Sequence, residues 1–314
     1  MRVVIVIGLL AVSTALAAAQ ATSVRLPAET AGLDQVARTL VAAFDQVDVV
    51  ALGEDHGQQR DSDLRIAVVR HPDFARRVRT IVVEFGSTTE QATLDRYIRG
   101  ETVPRAQLEQ VWKTTTQAQF GALDSRFFVD FFDAVREVNA PLPAASRIRV
   151  LGGDPGPTDK RSRETAAVAV LKEQVLQKRE KALVIYGAAH FYRAAPADYL
   201  ASMGQDVGIV GMLEAAYPGR TLAVIPLGGR IALPPGITMP APSYAKFDRA
   251  IATPQRPVLL SLQRSPFRDL KAEEFLGGKL LTCSGPAGCR SVFMGSPLTL
   301  GQIADACVYF GNGE

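Results

Sequence analysis

Residues 49–56 read VVALGEDH and residues 182–190 read ALVIYGAAH. Each is an apolar run followed by a glycine, two further residues and a histidine. Runs of this length and composition predict short buried strands, with the glycine marking the exit. Both histidines therefore stand just past the C-terminal end of a strand. In an open sheet of parallel strands that edge is where ligands bind. The placement predicts that His56 and His190 converge on one site although they lie far apart in the chain.

Working outward, the chain alternates helical and strand patterns, which predicts an α/β fold with a largely parallel central sheet flanked by helices. Leu33, Val36, Ala37, Leu40, Val41 and Phe44 recur at helical spacing before the first histidine motif. Further strands are expected at 80–85, 148–151, 207–210, 222–226, 257–262 and 279–283, and a crossover helix along Ala166, Ala167, Val170, Leu171 and Val175. A final helix is expected near 300–307. Between residues 88 and 139 no strand pattern appears, while Leu94, Tyr97 and Ile98, then Phe127, Phe128, Phe131, Phe132, Val135 and Val138, indicate helices. This stretch is too long for an ordinary βα connection and reads as a helical insertion over the ligand edge of the sheet.

The N-terminus has a different character. Met1 and Arg2 precede an apolar stretch over residues 3–16, and Ala17, Ala18 and Ala19 offer a small-residue cleavage pattern. The apolar stretch is shorter than the ~20 residues a membrane span requires, so residues 1–19 read as a signal peptide. Residues 20–314 read as a single α/β domain, with 243–314 its C-terminal part. The mature chain is expected to be secreted or periplasmic, with no stable membrane span. Cys283 and Cys289 flank the turn-forming SGPAG, which suits a disulfide in an oxidising compartment. Cys307, in an apolar run, reads as buried and inert. The formal net charge of +3 is spread among interspersed acids, and nothing in it suggests a nucleic-acid surface.

Acids accumulate at the same strand exits. Glu54 lies two residues before His56, Glu84 falls in IVVEFG, and Asp154 ends RVLGGD. Carboxylates in such places are costly unless paired, hydrated or bound to a cation. Glu54, His56, Glu84 and His190 are thus the candidate catalytic residues. Asp154 is expected at the margin of their cavity, with a turn role before Pro155 and Gly156 as its competitor. His71, in RHPDF, reads as a surface residue at a helix end.

GEDH, the later Glu84 and YGAAH together resemble the superfamily that joins erythromycin esterases, haem-binding ChaN-like proteins and the TraB and Tiki metalloproteases. RVLGGD resembles the mid-domain strand of the esterases, and GAAH the second histidine motif of the Tiki and TraB proteins. The spacing of GEDH is nearer to the haem-binding branch, whereas the chain has no lipoprotein cysteine. The absence of GxSxG disfavours a covalent acyl-enzyme.

The reading this supports is an exported hydrolase that activates water against an ester, amide or related carbonyl of a small-molecule or peptide substrate. Without a metal, His56 acts as general base oriented by Glu54 or Glu84, and His190 stabilises the oxyanion or protonates the leaving group. With a metal, His56, His190, Glu54, Glu84 and Asp154 supply ligands to a divalent ion such as Zn or Mn. A second reading is an exported haem- or iron-binding protein without turnover, with His190, Tyr192 and Tyr186 as axial ligands. A third is an inactive member of the superfamily serving as an interaction domain.

Overall fold

The computed structural model describes residues 24–120, 125–202, 207–228, 244–276, 281–283 and 289–311. The strands among them are β1 (Glu29–Ala31), β2 (Val49–Glu54), β3 (Thr80–Ser87), β4 (Arg149–Asp154), β5 (Ala182–Gly187), β6 (Thr221–Leu227), β7 (Val258–Ser261), β8 (Leu281–Cys283), β9 (Cys289–Ser291) and β10 (Ala306–Tyr309). Eight of them form one sheet in the order β1-β7-β10-β6-β2-β5-β3-β4, and β8 pairs with β9. From β10 to β4 neighbouring strands are parallel, while β7 runs antiparallel to both β10 and β1. The expected fold class, an α/β molecule with a mostly parallel sheet flanked by helices, is the one observed.

Every residue of β2, β3, β5 and β6 is buried, as expected of parallel strands covered on both faces. The helices that do the covering are α1 (Leu33–Ala43), α2 (Gln59–Arg70), α3 (Phe74–Arg77), α4 (Gln91–Ile98), α5 (Arg105–Lys113) and α6 (Ser125–Asn139), followed by α7 (Arg163–Gln174), α8 (Ala197–Ser202), α9 (Ile209–Ala216), α10 (Ala245–Ala250), α11 (Ala272–Leu276) and α12 (Leu300–Ile303). Side chains alternate along each strand, so one core joins Val50, Leu52, Ile81 and Ile185 to α1, α2 and α4–α6. The other joins Ala51, Val82, Val184 and Tyr186 to α7, α9 and the later helices.

The helical insertion over 88–139 is present as α4, α5 and α6, with short 3₁₀ turns at Thr88–Glu90 and Thr116–Phe120. Its anchor is aromatic. Phe85 of β3 stacks on Phe128 with ring centroids 4.7 Å apart and meets Phe131 edge-on at 5.7 Å.

Two expectations change, and one strand joins the main sheet without a counterpart among them. The stretch 207–210 is not a strand: Gly208 precedes α9, which buries Ile209, Val210 and Leu213 on one helical face. A short apolar run does not distinguish strand from helix, and here the run continues at helical spacing. The helix expected over 300–307 stops at Ile303, and Ala306–Tyr309 instead fills a position between β6 and β7. All four of its residues are buried, so no alternation betrays the strand. Finally, β1 pairs with β7 without having been expected, being only three residues long.

Candidate active site

The C-terminal ends of β2, β3 and β5 lie side by side, and Glu54 at the end of β2 is in register with Gly187 at the end of β5. The chain then turns differently at each exit. After β2, Asp55 and Gly57 flank His56 in a loop, where His56 keeps 37% of its side-chain surface exposed. After β5, a 3₁₀ turn over Ala188–Phe191 folds His190 back under the sheet edge, where it is buried. In β3, four steps from Val83 to Ser87 correspond to two steps along β4, and Glu84 falls within this irregularity. Such bulges re-aim side chains, and Glu84 is aimed between the two histidines.

Glu84 is the hub. Its Oε2 accepts a hydrogen bond from the backbone N–H of Gly187 at 2.7 Å and lies 3.7 Å from His56 Nε2. Its Oε1 lies 3.3 Å from His190 Nε2 and accepts from Arg163 Nη1 at 2.8 Å. His56 Nδ1 sits 3.2 Å from Glu54 Oε1, and Glu54 Oε2 accepts from Arg65 Nη1 at 2.5 Å. His190 Nδ1 is 2.6 Å from Glu164 Oε1. The close approach of β5 to His56 explains one glycine: a Cβ on Gly187 would stand 2.7 Å from His56 Nε2.

Burial works against charge on every one of these groups, yet the pairings prevail. Burial would raise Glu54, but the Arg65 guanidinium and the bond to His56 hold its carboxyl below the usual range. Burial likewise opposes ionisation of Glu84, and His190, His56 and the Gly187 N–H outweigh it, holding Glu84 far below that range. Burial would lower His190, whereas Glu84 and Glu164 push it up to about 9. For His56, burial is again overcome, by Glu54 and then Glu84, and its pKa is raised. Within this set Glu54, Glu84 and Glu164 are balanced by Arg65, Arg163 and an imidazolium at His190. That leaves His56 as the group whose charge is not already matched.

The four candidate catalytic residues are thus brought together. Asp154 is not turned toward them: its carboxylate accepts from Thr116 N at 2.9 Å, Thr116 Oγ1 at 2.6 Å and Gly156 N at 2.8 Å. The turn role that competed for Asp154 is the one the structure assigns. Arg65, Arg163 and Glu164 escaped the sequence reading because charged residues on helices ordinarily face solvent. A faint signal existed, since Glu164 precedes Ala167, Val168 and Leu171 by three, four and seven positions and so falls in the buried stripe of α7. Arg65 is buried on α2 beside Leu64 and Val68, its Cζ 4.8 and 5.4 Å from the ring centroids of Phe85 and Phe131.

Neither cofactor expected as an alternative fits these side chains. Among the described residues no three His, Cys, Asp or Glu side chains are grouped to hold a metal ion. Two of the carboxylates that would ligate one carry guanidinium partners, so a divalent cation would enter a set already neutral. For haem, Tyr186 and Tyr192 are buried and burial drives both well above the ordinary tyrosine pKa, which opposes a ligating phenolate. Tyr192 packs on Phe293, and both nitrogens of His190 face carboxylates.

Residues 40–147 match the family described as haem-binding uptake, Tiki superfamily, ChaN. Three solved structures share the fold. A succinoglycan biosynthesis protein matches with a TM-score of 0.57 at 11% identity, over 85% of this chain and 88% of its own. A Bacillus cereus protein matches with a TM-score of 0.55 at 14% identity, over 90% and 92%. A mutant of the erythromycin esterase EreC in its open conformation matches with a TM-score of 0.50 at 11% identity, over 91% and 98%. No curated protein sequence matches the chain. The family match contains GEDH and Glu84 and upholds the resemblance to ChaN- and Tiki-like proteins drawn from them, while GAAH lies beyond the matched residues. No helix among the described residues is long and apolar enough to cross a membrane.

Proposed function

We propose that the protein is an exported hydrolase that activates water against an ester, amide or related carbonyl, with His56 as general base. The observation that carries this reading is the asymmetry of the two imidazoles. His190 has a carboxylate at hydrogen-bonding distance on each nitrogen, whereas His56 has one only at Nδ1. A carboxylate accepts, so Nδ1 of His56 bears the proton and Nε2 presents its lone pair at the mouth of the site. A water there gives its proton to Nε2 as its oxygen attacks the carbonyl carbon. The imidazolium, stabilised by Glu54 and Glu84, returns that proton to the departing oxygen or nitrogen as the carbonyl's bond to it breaks. In this reading His190 orders Glu84 and does not itself touch the substrate. Export rests on the signal-like residues 1–19, which lie outside the described residues.

His56→Ala and Glu84→Gln are each expected to lower hydrolysis of a responsive p-nitrophenyl ester by about 10²–10⁴-fold with the fold intact. His71→Ala is the control for loss of an imidazole, since His71 ends α2 and accepts from Asp73 N. In the native protein the rate should rise with pH through a value above 6.5, as His56 deprotonates, and fall near pH 9, as His190 does. Near-normal hydrolysis by His56→Ala would defeat the assignment. A stoichiometric Soret band on adding haemin would favour the haem-binding reading instead.

A further inference from the structure

The N-terminus of α7 reaches into the site with two consecutive side chains. Ser162 caps the helix, accepting from Thr165 N at 3.1 Å. From there Arg163 meets Glu84, and Glu164, 5% exposed at its side chain, meets His190. We propose that Glu164 is a positioning residue of the hydrolytic site, holding His190 as a fixed double donor that pins Glu84 in place beside His56. The proposal rests on the hydrolase reading for its effect on rate, but its structural half stands apart from it.

The geometry argues for a charged clamp. An imidazole with carboxylates at both nitrogens satisfies them only by donating from both, because a neutral ring would turn a lone pair toward one carboxylate. At 2.6 Å the Glu164 contact is the shorter of the two, within the range of charge-assisted hydrogen bonds. The charged and titratable groups around His190 are Glu84, Glu164, Arg163 and His56, with the Tyr199 phenol of α8, pushed up to about 12 by burial, near Glu164 and Glu84. Tyr186 meets the imidazole edge-on with centroids 5.8 Å apart. The Tyr186 hydroxyl is buried without a hydrogen-bond partner, so it supplies His190 with packing and no alternative acceptor. Removing the charge of Glu164 therefore leaves Glu84 alone to keep the ring protonated. Glu84 is at the same time the group that His56 faces, so a neutral His190 would loosen the carboxylate on which the base depends.

The test is Glu164→Gln, which keeps an acceptor for Nδ1–H and hence the docking of α7 while removing the charge. The chain has three histidines, so ¹⁵N-histidine labelling gives a spectrum assignable with His71→Ala and His56→Ala. Near neutral pH both His190 nitrogens should give imidazolium signals in the native protein, and Glu164→Gln should lower the pH at which those signals are lost. With p-nitrophenyl acetate as probe, kcat should fall about tenfold or more with KM nearly unchanged, as for other residues that orient a reacting group. Glu164→Asp, which keeps the charge, should move the His190 titration back toward the native value, and it serves as the test if the Gln variant does not fold. A neutral His190 ring in the native protein near neutral pH, or an unchanged His190 titration in Glu164→Gln, would overturn the clamp. If the native protein hydrolyses no ester, the hydrolase reading fails while the spectra still decide the role of Glu164.

Discussion

At Gly187 the backbone has φ −51° and ψ 136°, a conformation any residue accepts, so alanine would meet no backbone strain there. What it would meet is His56 Nε2, at 2.7 Å from the added methyl. His56 is the terminus of a partly exposed side chain and can swing aside. Gly187→Ala should therefore fold with a melting temperature close to that of the native protein and yet lose at least tenfold in ester hydrolysis. Unchanged kcat would show that His56 need not occupy this position. The case also marks the limit of what was legible at this scale. GAAH announced a strand exit and a histidine, and GEDH a second, and Glu54, His56, Glu84 and His190 do meet. That the glycine makes room for the other histidine is a property of two strands in register, and a single strand's sequence does not contain it. Arg65, Arg163 and Glu164 were hidden for a related reason: the partners that make their burial tolerable come from distant elements.

At the scale of elements, composition served well where a strand or helix met solvent on one side and poorly where it was buried all round. The helix over Leu33–Ala43 and the insertion of α4, α5 and α6 follow their apolar stripes. The run at 207–210 and the strand Ala306–Tyr309 do not, because complete burial erases the difference between periods of 2 and 3.6. The hairpin of β8 and β9 adds an element with a chemical consequence. Its antiparallel register sets Cys283 opposite Cys289, and directly opposed residues have Cα separations of about 4.5–5.5 Å, within the range a disulfide bridges. Alkylation of the protein, unfolded without reduction after preparation under oxidising conditions, should accordingly label Cys307 alone. Labelling of all three cysteines would refute the pairing.

At the scale of the whole molecule, the matched charges of the site tie stability to pH from both sides. Glu54 and Glu84, held below 4.5, contribute stability that is complete above that value and lost as pH falls through their depressed pKa values. Asp154, raised by burial, works in the opposite sense and blunts this acid limb. His190, raised from 6.5 to about 9, contributes stability that is complete below 6.5 and lost as pH rises through 9. That shift corresponds to about 3 kcal/mol. Denaturant midpoints should therefore peak between roughly pH 5 and 6.5 and decline toward pH 9, and the decline should be smaller in His190→Ala, where His56, also raised, is left to contribute. A native stability that is flat from pH 6 to 9 would contradict the imidazolium.

The order of strands has one more implication, for how the molecule comes into being. Every strand that bears the site is made by Gly187, and β6 completes their run at Leu227, but β10 must slot between β6 and β7 before β7 and β1 join the sheet. A chain emerging from its N-terminus thus carries β1 for more than two hundred residues before its partner exists. Contacts so distant in sequence form slowly. During that interval the outer edge of β6 is an unpaired template of the kind that recruits strands from other chains. The half of the sheet that carries the candidate site can assemble early, and the half that seals it must come late, so the β6 edge stays open to foreign strands for as long as the chain is growing.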